Sequence, residues 1–146
     1  FNLNLDLKDQ LIPFITWCDK NVKKWLFSEV HVYSEKLWTG GIIDAGYIDI
    51  NDEFVLADFK SGGAWLSGFI QLGGYARQIN EHGFYNSNGD SLDKTGKDLF
   101  PDSLAIFPFK GGFKEPVIIR GQTHKYIKGF ENAVSLYKLQ QEFQKL

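Results

Sequence analysis

Asp44, Asp58 and Lys60 are the residues of this chain whose types and spacing suit binding of a divalent cation and stabilisation of growing negative charge. The segment Glu53–Lys60 reads as a strand whose apolar run ends in Asp58-Phe59-Lys60. In a strand, residues i and i+2 share a face, so Asp58 and Lys60 point one way and Phe59 into the opposite layer. Two charges beside a core are costly unless they pair or bind a metal. A strand-end salt bridge is the plain alternative, and such triplets arise by chance: Asp6-Leu7-Lys8 is a second one.

Gly41-Ile42-Ile43-Asp44 places another carboxylate in an apolar segment, and Gly46-Tyr47-Ile48-Asp49 offers a rival just beyond it. Hairpin register separates the two. A three-residue turn over Asn51-Asp52-Glu53 sets Asp44 opposite Lys60 and Asp58 opposite Gly46. Asp44 and Asp58 are then diagonal neighbours roughly 7 Å apart, a gap one metal ion can bridge. Asp49 falls on the other face. A two-residue turn would return Asp49 to the Asp58 face, but roughly 13 Å along the strand.

Gln71 and Tyr75, four residues apart on a predicted helix, share one face. Gly73 and Gly74 lie between them, at a cost of about 2 kcal/mol relative to alanine. That cost implies close approach of the helix backbone to the sheet or to a ligand; simple close packing explains it equally well.

The elements that must position these residues follow from periodicity. Residues 8–27 predict a first helix, with Leu11, Phe14, Ile15, Cys18, Val22, Trp25 and Leu26 at three- and four-residue steps and Pro13 near its start. Strands are predicted at 28–34, 37–50 and 53–60, with a glycine break at Ser61-Gly62-Gly63. A second helix runs from about Trp65 to Glu81, a long polar loop over 82–102, strands over 103–109 and 116–120, and a last helix over 130–144. The first three strands suit an antiparallel meander, and the strand after the second helix can return in parallel. The expected fold class is α/β: a mixed central sheet flanked by helices in one domain spanning residues 1–146.

The 146 residues, 43% of them hydrophobic, exclude disorder as the main state. No apolar run approaches the roughly 18 residues of a membrane span. One cysteine cannot form an internal disulfide or ligate an iron–sulfur cluster. With no sequon and no signal peptide, a cytoplasmic, intracellular protein is the default. No methionine occurs, so Phe1 is not expected to be the native start and upstream residues are expected. A net charge of −2 argues against a wholesale electrostatic grip on nucleic acid, not against a local one.

Other signals are weaker. Asp93-Lys94-Thr95-Gly96-Lys97 resembles the phosphorylated-aspartate motif of P-type ATPases but sits in a polar loop of a small domain. Asn86–Asp90 has alternating oxygens without the glycine and terminal glutamate of a calcium loop. His31, His82 and His124 are scattered singly, and Cys18 lies on an apolar helix face, which reads as core.

Gly41-x-x-Asp44, Asp58-x-Lys60 and Gln71-x-x-x-Tyr75, in this order, resemble the PD-(D/E)XK nuclease superfamily, most closely its RecB-type exonuclease branch. The resemblance covers residues 28–81. It implies a restriction-endonuclease-like core and a metal-dependent nuclease that hydrolyses DNA, as an exonuclease in DNA repair or recombination. It implies Asp44 and Asp58 as ligands of Mg²⁺ or Mn²⁺, with the Phe59 carbonyl as a further oxygen. Lys60 would act on the attacking water and the phosphate, and Gln71 and Tyr75 would orient the site. Members often add an upstream glutamate. The first helix offers Asp9 and Asp19 but no glutamate, and Glu29 is the nearest candidate. No iron–sulfur cluster is expected. For DNA contacts, Lys110, Lys114, Arg120, Lys125 and Lys128 against Glu115 give a local excess of four positive charges. Lys20, Lys23 and Lys24 form a smaller cluster. Trp65 suits stacking on a base or anchoring the second helix. Two alternatives stay open: an inactive nucleic-acid-binding module, or a nuclease-fold domain of a larger helicase–nuclease assembly.

Overall fold

A computed structural model describes residues 3–92 and 100–146. Its elements are α1 (Leu3–Asn21), β1 (Val22–Ser34), β2 (Thr39–Asp49), β3 (Phe54–Lys60), α2 (Leu66–His82), β4 (Ser103–Pro108), β5 (Val117–Arg120) and α3 (Thr123–Gln144). The five strands form one sheet in sequence order, with β1–β2, β2–β3 and β4–β5 antiparallel and β3–β4 parallel. The meander and the parallel return through α2 are as the strand spacing predicts. No described helix is long and apolar enough to cross a membrane.

Three boundaries differ from the periodicity. Helix α1 begins at Leu3, so Pro13 lies inside it rather than near its start. Helix α1 ends at Asn21, and Val22–Phe27 extend β1 instead. Val22, Trp25 and Phe27 pair with Asp49, Tyr47 and Gly46 of β2. Cross-strand packing of β-branched and aromatic side chains overrides their helical spacing. At the other end α3 begins at Thr123, seven residues before the predicted start, because Tyr126 and Ile127 pack against the core.

The two sheet faces carry different layers. Helix α2 lays Phe69, Leu72, Ala76 and Ile79 over Val30, Val32, Ile43, Leu56, Leu104 and Ile106. Helix α1 sets Phe14 and Trp17 against Tyr47, Val55, Ala57, Phe107 and Phe59 on the reverse face. Phe59 therefore points into the layer opposite Asp58 and Lys60, its ring 5.3 Å from Phe107 and 5.9 Å from Phe14. The apolar face predicted for α1 is only partly covered: Leu11, Ile12 and Ile15 are exposed. Cys18 is half-buried, and burial with the nearby Asp19 pushes its thiol up to about 11, so it stays protonated at neutral pH.

The Gly73-Gly74 pair serves helix packing. A Cβ on Gly73 would lie 2.3 Å from the Tyr126 carbonyl, and one on Gly74 would lie 2.5 Å from the Phe130 ring. The close approach is thus to α3, not to the sheet or a ligand. At the far end of α2, Glu81 accepts from Ser34 Oγ at 2.6 Å and from Arg77 at 2.5 Å. It also accepts from the backbone N–H groups of Glu35 and Lys36. The Ser34 and Arg77 bonds hold its carboxyl down at about 2 and pin α2 to the β1–β2 turn.

Candidate active site

The β2–β3 register is two residues away from the predicted one. Ala45 pairs with Ala57 and Ile48 with Phe54, so the register carries Asp44 opposite Asp58 rather than opposite Lys60. The turn is Ile50-Asn51-Asp52. Asp49 closes it by accepting from the N–H groups of Asn51 and Glu53 at 2.8 and 3.0 Å, and Asp52 takes a left-handed φ of 62°. Short polar side chains tolerate that conformation best after glycine. Shifting by two preserves parity, so Asp44 still meets Asp58 and Asp49 stays on the other side.

Asp44 stands where two strands part. The β2–β3 ladder ends at Ala45–Ala57, and the next inward N–H, that of Phe59, donates to Asp44 Oδ2 at 2.8 Å. A side chain thus takes the place of a backbone acceptor. Strand β2 bends here: Ile43 packs under α2 while Ala45 packs towards α1. Across the β1–β2 pair the same point falls at Glu29, a non-glycine residue with φ of 51°. In a strand the N–H and C=O of one residue point the same way. The Phe59 carbonyl therefore faces the Asp44 side, while the Lys60 carbonyl accepts from Phe109 of the β4 side.

Asp58 is 7% exposed. The Lys60 ammonium lies 2.7 Å from its Oδ2, at ion-pair distance but without hydrogen-bond alignment. That oxygen has no hydrogen-bond partner among the described residues. Burial first, then the neighbouring Asp44 carboxylate, pushes the Asp58 carboxyl up to about 6, against the opposing pull of Lys60. Lys60 also reaches Gln71 Oε1 at 3.3 Å. Burial and the negative charges of Asp58 and Asp44 raise the Tyr75 hydroxyl as well. Asp44, Asp58, Lys60 and Gln71 are thus brought together at one end of the sheet, and Tyr75 packs against Gly41 on the strand that carries Asp44.

Gly41 explains how Tyr75 fits. A Cβ there would lie 2.4 Å from Tyr75 Cε1 and 3.3 Å from its hydroxyl. Gly41→Ala should displace the ring and cost about 1–2 kcal/mol by overpacking. In a Tyr75→Ala background the same change should cost under about 0.5 kcal/mol, because the clashing partner is gone. Urea unfolding of the four proteins checks this; equal costs in both backgrounds would show that the ring is not what Gly41 accommodates.

The other nominated residues scatter. Glu29 is exposed and does not join Asp44 and Asp58: no group of three or more His, Cys, Asp or Glu side chains able to hold a metal occurs among the described residues. Asp9 and Asp19 lie on α1, across the sheet from Lys60. Lys110 and Lys114 are exposed in the loop after β4, at the same end as Lys60. Arg120 is at the opposite end, paired across the sheet with Ser103, and its guanidinium is held by Asp49 at 3.0 Å and Glu53 at 3.2 Å. Lys125 and Lys128 lie at the start of α3, and Lys125 donates to Gln122.

Trp65 is 70% exposed and so does not anchor α2 in the core. Gly68 went unmarked by any motif, yet a Cβ there would meet Ile106 at 2.6 Å and the Lys60 stem at 3.8 Å. A glycine in the first turn of α2 gives only a weak signal in the sequence. His82 stacks on Tyr33 and His124 on Phe100, while Asn86 Oδ1 accepts from the N–H groups of Asn88 and Asp90, which closes that loop on itself. The Asp93–Lys97 segment lies outside the described residues. No family model matches this chain, and neither does any curated protein.

Proposed function

We propose that the chain is a PD-(D/E)XK nuclease domain of the RecB-type kind that hydrolyses DNA phosphodiester bonds with Mg²⁺ or Mn²⁺, as an exonuclease. The observation that carries this is the buried Asp58 carboxylate, with no hydrogen bond to Oδ2 among the described residues, set beside Asp44 and 2.7 Å from Lys60. Two adjacent carboxylates at a strand fork are unfavourable in the absence of a cation.

The residues fit a hard divalent ion. Asp44, Asp58 and the Phe59 carbonyl offer oxygen, and Mg²⁺ is commonly held by one or two carboxylates with water and substrate phosphate completing the shell. When bound, such a cation neutralises phosphate charge and acidifies a bound water. Lys60 supplies a positive charge where the attacked phosphate gains negative charge. Gln71 holds the Lys60 ammonium from α2, and Tyr75 takes the orienting role that the motif gives it, its ring packed against Gly41 of β2. Lys110 and Lys114 extend the cationic surface at this end, whereas Arg120 acts as a clasp for the β2–β3 turn.

The inactive-module reading draws on one observation, the Lys60–Asp58 ion pair, which is also what a purely structural salt bridge would form. Labelled single- and double-stranded DNA incubated with Mg²⁺, Mn²⁺ or EDTA separates the two. Cleavage should require the cation and vanish in Asp58→Ala. Undiminished cleavage in excess EDTA would refute the metal mechanism, and no cleavage under any condition would favour the inactive module.

A further inference from the structure

A cleft of about 450 Å³ opens beside Lys60 and Gln71, between the start of α2 and the middle of α3. Its floor is apolar, formed by Ile70, Ile106 and Phe130. Trp65 stands at its mouth with the indole against Gly63, where a Cβ would lie 3.3 Å from the ring, and is otherwise open to solvent. We propose that this cleft seats the nucleobase of an unpaired nucleotide whose phosphate lies at Lys60. The inference rests on the hydrolase reading above and adds the strandedness of its substrate.

The chemistry is matched on both sides of a nucleotide. A base needs a flat π-face and an apolar bed, and Trp65 with Ile70 and Phe130 provides them. A phosphate needs a cation within reach of that bed, and Lys60 lines the same cleft. A base inside a duplex is already stacked on both faces and would have to be unstacked and unpaired first, at a few kcal/mol. An unpaired base carries no such cost. The cleft therefore selects a single strand, or an end that has frayed. The exposed Lys110 and Lys114 at the same end of the sheet give the following phosphates a track without sequence preference.

The test uses the full chain in Ca²⁺, where binding is read without turnover. Fluorescence anisotropy of an oligothymidylate and of a blunt hairpin duplex is measured for the parent, Trp65→Ala and Trp65→Phe. Trp65→Ala should weaken oligothymidylate binding about 5- to 150-fold. Trp65→Phe should keep most of the affinity, since a phenyl ring still stacks, and the hairpin should bind all three alike. An unchanged melting temperature for Trp65→Ala is expected from its exposure. Equal oligothymidylate affinity in the parent and Trp65→Ala, an equal loss for both probes, or no oligothymidylate binding by the parent would each overturn the proposal. The hydrolase reading fails separately: the expected binding pattern without cleavage in Mg²⁺ or Mn²⁺ sinks that reading and leaves the base site standing. Cleavage of single strands unaffected by Trp65→Ala does the reverse.

Discussion

Lys60→Ala should slow DNA cleavage by about 10²–10³-fold, roughly 2.7–4 kcal/mol in the barrier, the usual loss when one preorganised donor is removed. DNA affinity in Ca²⁺ should fall far less than the rate, by the share of one phosphate contact among several. The side chain is 37% exposed and sits next to the Ser61-Gly62-Gly63 break, so its removal forfeits little packing. Its charge is needed most where the attacked phosphate becomes more negative, and an interaction felt mainly there changes rate more than ground-state binding. The ion pair with Asp58 predicts the opposite if it is only structural: a lowered melting temperature with near-normal turnover. Single-turnover cleavage in Mg²⁺, binding in Ca²⁺ and thermal melting on one preparation decide the matter. A variant that melts lower yet cuts normally would leave Lys60 a structural partner of Asp58 and remove the main support for hydrolysis.

Much of this site is legible in the sequence because it is built from short-range rules. Strand alternation puts Asp58 and Lys60 on one side and Phe59 on the other, and helical spacing puts Gln71 and Tyr75 on one face. What is less legible depends on partners far along the chain. Val22–Phe27 has helical spacing, and only the presence of β2 turns it into strand. The glycines of α2 announce a close approach, but only α3 shows to what. The hairpin turn is set by Asp49 capping Asn51 and Glu53 and by Asp52 adopting positive φ, a choice between neighbouring three-residue turns that composition leaves nearly degenerate. Arg120 has the charge of a phosphate contact, and only its position at the Ser103 end of the sheet, against Asp49 and Glu53, assigns it to structure. The same holds for Trp65, whose exposure beside an apolar cleft depends on how α2 and α3 meet.

Asp58→Asn should raise the stability of the metal-free protein above pH 6 while lowering metal-dependent cleavage at least about 10²-fold. The Asp58 carboxyl is raised from an ordinary 3.8 to about 6, chiefly by burial and then by Asp44. Between these two values the folded protein binds a proton that the unfolded chain has released, so stability in EDTA falls as pH rises from about 4 to 6 and stays low above that. An amide at this position cannot ionise, and its N–H can donate to Asp44. Above pH 6 the gain should be on the order of 1–2 kcal/mol after solvent screening and the lost Lys60 pair are allowed for, or about 3–6 °C in melting temperature. Near pH 4 the difference should close, because the parent is then protonated too. Mn²⁺ should reverse the order: it should raise the melting temperature of the parent by binding the folded state, and leave Asp58→Asn nearly unmoved. Melting curves of both proteins at pH 4, 6 and 8, with EDTA or Mn²⁺, test each step. An Asp58→Asn protein less stable than the parent in EDTA at pH 8 would show that the ion pair with Lys60 outweighs the cost of the buried charge. Equal Mn²⁺ shifts in the two proteins would place the cation somewhere other than Asp58.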